Sequence, residues 1–183
     1  GGPVNRGFTL IEVLVVIAIL GIAAALAMPG YRALISGSQR SEAASELYVS
    51  LMQARSEAVA RNSAIALVPI NDDWAFGWQV MVDADGDGAA DALDTDGDGE
   101  TEAGSGLLAE VQLAAFDLDW RTQPAPLPRI RVNASGRVTE SVEVLICGPD
   151  ARRSRAVSAT PAGQIRLRDL HDDEAGFTAG CSS

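Results

Sequence analysis

An α+β fold, a long N-terminal helix packed on a small, mainly antiparallel β-sheet head, is predicted by three observations on the 183 residues. An apolar run from Phe8 to Met28 is long enough for an extended helix. An amphipathic pattern carries that helix on to about Arg61. After Asn62 the chain breaks into short β-branched or alternating runs separated by Gly, Pro, Asn or Asp. The runs leave no room for crossover helices, so the sheet should be largely antiparallel.

The first element spans 21 residues from Phe8 to Met28, which at ~1.5 Å per residue is ~30 Å, the thickness of a bilayer core. Glu12 is its one ionisable group. An acid inside hydrocarbon costs about 3 kcal/mol unless paired, so Glu12 is a functional candidate; the alternative is a plain anchor with an incidental acid. Pro29 removes a backbone donor and should bend or locally open the helix, and Gly37 is a second weak point. Beyond them Leu47, Leu51, Ala54 and Ala58 recur at helical spacing, while Arg40, Glu42, Glu46, Arg55, Glu57 and Arg61 fall mostly on other faces. That stripe should be covered by a sheet. The strand-like runs are 64–70, 77–82, 107–118, 130–133, 138–146, 155–159 and 164–170.

The segment Arg6-Gly7-Phe8-Thr9-Leu10-Ile11-Glu12 resembles the type III leader junction of type IV pilins and type II secretion pseudopilins, and Pro29 matches the proline of their N-terminal helix. A secretory signal peptide would place its cleavage site after the apolar run, whereas Gly7 precedes it. The resemblance implies that a prepilin peptidase cuts after Gly7 and methylates the new amine of Phe8. The amine would then compensate Glu12 of a neighbouring subunit. Further motifs follow in order: residues 51–59 (LMQARSEAV), 74–80 (WAFGWQV), 132–137 (VNASGR), and 163–166 (GQIR). Their order resembles the FimT/FimU minor pilins and the GspH-type minor pseudopilins, and implies the pilin fold.

The domains implied are a leader at 1–7, a transmembrane or filament-core helix at 8–35, and a periplasmic β-rich head at 36–183 that includes the second half of the helix. The protein would reside in the bacterial inner membrane, single-pass, and then in a pilus or pseudopilus. Its implied partners are major and minor pilins or pseudopilins, the prepilin peptidase and the inner-membrane assembly platform. The implied function is a minor pilin that helps initiate a type IV pilus; the alternatives are a pseudopilin of a type II secretion system and a DNA-binding pilin for transformation. In a periplasmic head Cys147 and Cys181 are expected to be bonded, against the alternative of two free buried thiols.

The net charge of −11 conceals a divided chain. From Asp72 to Asp119 there are fourteen acids and no base; from Trp120 to Arg168 nine arginines face three acids. Within the acidic stretch Asp83, Asp85, Asp87, Asp91 and Asp94 stand at positions 1, 3, 5, 9 and 12 of a calcium-loop pattern with Gly88 at position 6. A second, overlapping copy begins at Asp94 and carries Asp96, Asp98 and Glu102, with Ser105 at its twelfth position. Calcium is the one candidate cofactor. A solvated acidic turn explains the same residues, because Gly and Asp favour turns for backbone reasons. In the basic half Arg152, Arg153 and Arg155 cluster near a turn, and Arg166 and Arg168 share one strand face. Arginines so placed can contact DNA phosphates. A Gly-Arg-x-Arg element is implicated in DNA binding by FimT proteins, and Gln164 replaces its first arginine here. Arg166 and Arg168 can instead pair with the acidic loop or with Asp172, Asp173 and Glu174.

No enzyme is expected. His171 is the single histidine and lies among acids, the cysteines lack metal-ligand spacing, and no phosphate-binding glycine loop is present. Trp74 and Trp78 are expected in the core.

Overall fold

The helix stripe decides where the head forms. In the computed structural model α1 runs from Leu10 to Arg61 without interruption, through both Pro29 and Gly37. The expected local opening at Pro29 is not seen in the backbone, since a proline deletes only one bond of the ladder and the flanking turns persist. The structure describes residues 9–94, 96–113, 118–147, 153–171 and 181, with backbone only at 27–34, 153 and 171. The chain divides into two compact units, Gly1–Ile35 and Ser36–Ser183.

The helix ends where Asn62 turns left-handed (φ 51°), a conformation asparagine tolerates better than most residues. Ser63 N donates to Ala58 O at 3.2 Å and Asn62 N to Val59 O at 3.4 Å, which satisfies two terminal carbonyls in a Schellman arrangement. The chain can then reverse into a strand.

The second unit holds two four-stranded sheets rather than one. The first comprises β1 (Ile65–Pro69), β2 (Gly77–Val82), β3 (Leu107–Gln112) and β5 (Ile130–Val132), in the order β3-β2-β1-β5. The second comprises β4 (Asp119–Gln123), β6 (Val142–Cys147), β7 (Arg153–Ala159) and β8 (Ile165–His171), in the order β4-β6-β7-β8. Every pairing is antiparallel, as expected. The run expected over 107–118 ends at Gln112, and a separate strand, β4, starts at Asp119 in the other sheet. Val138 pairs with Val132 as a lone bridge, so the run expected over 138–146 becomes a strand only from Val142.

Ala43, Ala44, Leu47, Leu51, Ala54 and Ala58 are almost wholly buried and join Ile65, Leu67, Val80, Ile130, Val144 and Val157 of both sheets in one core. Trp78 lies at the centre, 6.2 Å by ring centroid from Trp74 and from Trp120. Its Nε1 donates to Ser50 Oγ at 2.9 Å, and Trp74 Nε1 donates to Leu127 O at 2.9 Å. Both indoles therefore bury their area without stranding a donor.

A smaller cluster of Leu145, Cys147, Ala156 and Leu170 forms separately on the second sheet, with Cys181 packed against it. The Cys147–Cys181 disulfide closes a separation of 34 residues, with the Cα atoms 5.6 Å apart. Ser154 Oγ donates to Cys181 Sγ at 3.2 Å. Residue 181 is thereby fastened to β6 and β7.

Candidate functional site

Thr9 starts the helix. Its Oγ1 accepts Glu12 N at 3.3 Å and its carbonyl accepts Val13 N at 3.3 Å, the N-cap geometry that a Thr-x-x-Glu sequence favours. Glu12 therefore sits in the first turn, where the positive end of the helix dipole favours an acid. It shares an exposed stripe with Val13, Val16, Ile17 and Leu20. Apolar side chains from Leu10 (81% exposed) to Leu26 (78%) stand open all round this half of α1, none of the large ones below 50%. Gly7 and Phe8 lie outside the described residues, as does the side chain of Pro29. Among the described residues no helix is long and apolar enough to cross a membrane.

The acidic segment folds as two turns of one design. In the first, Asp83 Oδ1 accepts Gly88 N at 3.1 Å, Asp85 Oδ1 accepts Asp87 N at 3.1 Å, and Asp87 Oδ1 accepts Ala89 N at 2.7 Å. In the second, Asp94 Oδ2 accepts Gly99 N at 3.1 Å, Asp96 Oδ1 accepts Asp98 N at 3.2 Å, and Asp98 Oδ1 accepts Glu100 N at 2.8 Å. The glycines match as well: φ is 84° and 86° at Gly86 and Gly88, 83° and 90° at Gly97 and Gly99, values that side chains with a Cβ resist.

One carboxylate oxygen from each of Asp83, Asp85 and Asp87 lies within 4.8 Å of the others, and Asp94, Asp96, Asp98 and Glu102 form a second such group. The ligand set read from the sequence is therefore divided. Asp94 belongs to the second turn, where its two oxygens are taken by Gly97 N and Gly99 N. Asp91 stands apart from the first group because its Oδ2 accepts Ala84 N at 2.7 Å, closing that turn at its base. Ser105, the twelfth position of the second copy, spends its hydroxyl on Leu93 and Glu102 main-chain atoms.

Two arginines that the sequence reading did not connect with this segment lie against the first turn. Arg131 Nη2 donates to Asp83 O at 3.0 Å and to Ala84 O at 2.8 Å. A Cβ on Gly88 would stand 2.5 Å from Arg129 Nη1, which places that guanidinium beside the loop too. The alternation of Arg129 and Arg131 leading into β5, next to β1, was the available signal.

The C-terminal arginines are less free than their number suggests. Arg155 Nε pairs with Asp169 at 2.9 Å and Arg168 Nη2 with Glu143 at 2.8 Å. Arg166 is exposed and has no ion pair among the described residues. Arg152, Asp172, Asp173 and Glu174 lie outside the described residues, as do the side chains of Arg153 and His171. Glu110, on exposed β3, has its carboxyl held below the usual range by hydrogen bonds from Gln79 and then Gln112.

Residues 43–163 match the family described as type II transport protein GspH, and residues 3–28 match the prokaryotic N-terminal methylation motif. The chain belongs to the GspH family. The fold of its second unit agrees. The crystallised type IV minor pilin FimU of Pseudomonas aeruginosa aligns over 72% of this chain and 89% of its own, with 25% identity and a TM-score of 0.55. The minor pseudopilin EpsH from the type 2 secretion system of Vibrio cholerae shares the fold over 74% and 99%, at 18% identity and a TM-score of 0.50. Fimbrial protein EcpC of Eikenella corrodens is 58% identical over 40 residues, 22% of this chain and 26% of that protein. The type IV major alpha-pilin of Moraxella bovis is 55% identical over 43 residues, 24% and 27%. The chain thus spans about a quarter of the length of these fimbrial relatives. As a GspH-family member with a methylation motif it is a type IV pilin-like minor pilin or pseudopilin, of a class of membrane-anchored filament proteins.

Proposed function

We propose that this GspH-family chain is a minor pilin that helps initiate a type IV pilus. The observation that carries the reading is the exposed apolar half of α1, with Glu12 in its first turn, on the same helix whose other half is consumed by the head's own core. Such a surface is stable in lipid or against other helices like it, and costly in water. Prepilin peptidase would cut after Gly7 and methylate Phe8, and the new amine would offset Glu12 of the neighbouring subunit. Until then the chain would stay in the inner membrane as a single-pass protein with its head in the periplasm, where the Cys147–Cys181 bond is at home. Its partners would be other pilins and the inner-membrane assembly platform. Its work would be structural, with no reaction assigned.

The family's description and the EpsH likeness favour a second reading, a minor pseudopilin of a type II secretion system. Deleting the gene in its host separates the two. Loss of surface fibres and twitching is expected for the pilin; periplasmic retention of secreted enzymes with fibres intact would replace it with the pseudopilin. DNA contact as an added role rests mainly on Arg166. Titration of labelled duplex with the full chain in detergent should show salt-sensitive binding that weakens in Arg166→Ala, and no such affinity removes the idea.

A further inference from the structure

We propose that Asp83, Asp85 and Asp87 form a calcium site that locks the connection between β2 and β3. A group of acids on a turn is common without a metal. What distinguishes this one is Asp83, which is fully buried. Its Oδ2 is inaccessible and accepts no hydrogen bond. The guanidinium of Arg131 is its ion-pair partner, but Nε stands 3.9 Å away, beyond hydrogen-bonding reach. An ionised carboxylate has about four acceptor positions, and burying one of its oxygens without a donor is costly. Asp83 Oδ2 is therefore a buried carboxylate oxygen with a guanidinium 3.9 Å away and no hydrogen-bond donor of its own.

Geometry supplies the rest. Each of the three aspartates spends its Oδ1 on a main-chain N–H, which orients the carboxylates and leaves each Oδ2 outside those bonds. One oxygen from each lies within 4.8 Å of the others, and two ligands on opposite sides of a cation at ~2.4 Å are ~4.8 Å apart. Three carboxylates at such separations repel one another unless a cation lies between them. Arg131 offsets one of those charges while donating to Asp83 O and Ala84 O, and Arg129 stands beside Gly88. Arg131 thus holds the turn through two of its main-chain carbonyls.

The donor set selects the metal. It is all carboxylate oxygen, with no Cys or His in the group, which disfavours zinc and copper and suits a hard cation. Calcium accepts irregular, partly solvated coordination, whereas magnesium demands a tight octahedron and keeps its waters. Asp85 and Asp87 are exposed, so water can complete the sphere. Asp91 ties the turn to the sheet, Oδ2 to Ala84 N and its own N to Val82 O at 3.0 Å. Bound calcium would then be felt as stability of the head. The Asp94 turn has the same amide pattern, but Asp94 is exposed and no side chain packs against Gly97 or Gly99. Among its described residues it has no buried oxygen without a partner, and the proposal does not extend to it.

The test is calorimetric titration of the full-length chain in detergent, stripped with EDTA, with CaCl2 and separately MgCl2, paired with thermal melts. Calcium should bind with Kd in the range of ~10⁻⁵ to 10⁻³ M and magnesium more weakly. A hundredfold excess over Kd should raise the melting temperature by about 5 °C or more. Asp83→Asn should abolish the effect. Because a change at a buried residue can itself disturb folding, Asp85→Asn at the exposed ligand is the deciding variant: it should weaken calcium at least ~10-fold with an unchanged melt in EDTA. Asp96→Asn in the second turn should leave this binding intact. No heat and no melting shift in the unaltered chain up to ~10 mM calcium overturns the site, as does an Asp85→Asn chain that titrates like the original.

Discussion

The two halves of α1 share one helix and differ in how their apolar residues are arranged and covered. From Leu10 to Leu26 nearly every side chain is apolar and all are exposed; from Ala43 to Ala58 the stripe of Ala43, Ala44, Leu47, Leu51, Ala54 and Ala58 is buried, while Val49 and Met52 stay exposed among polar residues. The distribution of apolar residues, all round the first half and along one stripe of the second, decides the fate of each. A helix apolar on every side cannot be covered by one small sheet, whereas a stripe three to four residues apart fits beneath it. The head therefore folds on the second half, and the first half keeps its apolar faces exposed.

Truncations in the two halves should break or sharpen that contrast. Leu47→Ala removes a side chain from the centre of the core and should destabilise the head by about 2–5 kcal/mol in chemical denaturation of the full chain. Leu20→Ala should leave the same transition within about 0.5 kcal/mol. Equal losses would mean that the first half also stabilises the head. Next in size is the double change Cys147→Ser with Cys181→Ser, which should cost about 2–4 kcal/mol, because a closed loop of this length restricts the unfolded chain. A loss near zero would show residue 181 to be a passive tail.

The smallest effect belongs to exposed β3. Gln79 and Gln112 favour the charged form of Glu110 and so lower its carboxyl's value in the folded state. The sign follows: the contribution is present above the ordinary glutamate value and is lost as pH falls through the lowered one. Gln79→Ala should return the Glu110 titration, followed by NMR, toward the ordinary value with no change in the global melt. An unmoved titration would assign the effect to Gln112 alone.

Much of this architecture is legible in the sequence, and the gaps have physical causes. Leu47, Leu51, Ala54 and Ala58 mark the buried stripe by spacing alone, and Asn62 marks the helix end because asparagine tolerates a left-handed backbone. β4 is harder to see: Asp119–Gln123 is an edge strand with Trp120 its one large apolar residue, too weak an alternation to read. The doubled Asp-x-Asp-Gly-Asp-Gly pattern shows where two acidic turns stand, but not that Asp83 is buried while Asp94 is exposed. That difference is tertiary, set by Asp83 N donating to Ala64 O ahead of β1 and by Arg131 reaching across from β5. The arginines tell a similar story, since composition suggests a basic surface while Glu143 and Asp169 neutralise Arg168 and Arg155.

On the proposed function, the first half of α1 serves assembly and the second half the fold. Glu12→Leu tests it most directly, measured as the amount of the protein in sheared filaments relative to the amount in membranes of the host. The variant should be present in membranes at the normal level, with a normal head melt, and nearly absent from filaments. Filament incorporation equal to that of the unaltered chain would contradict it.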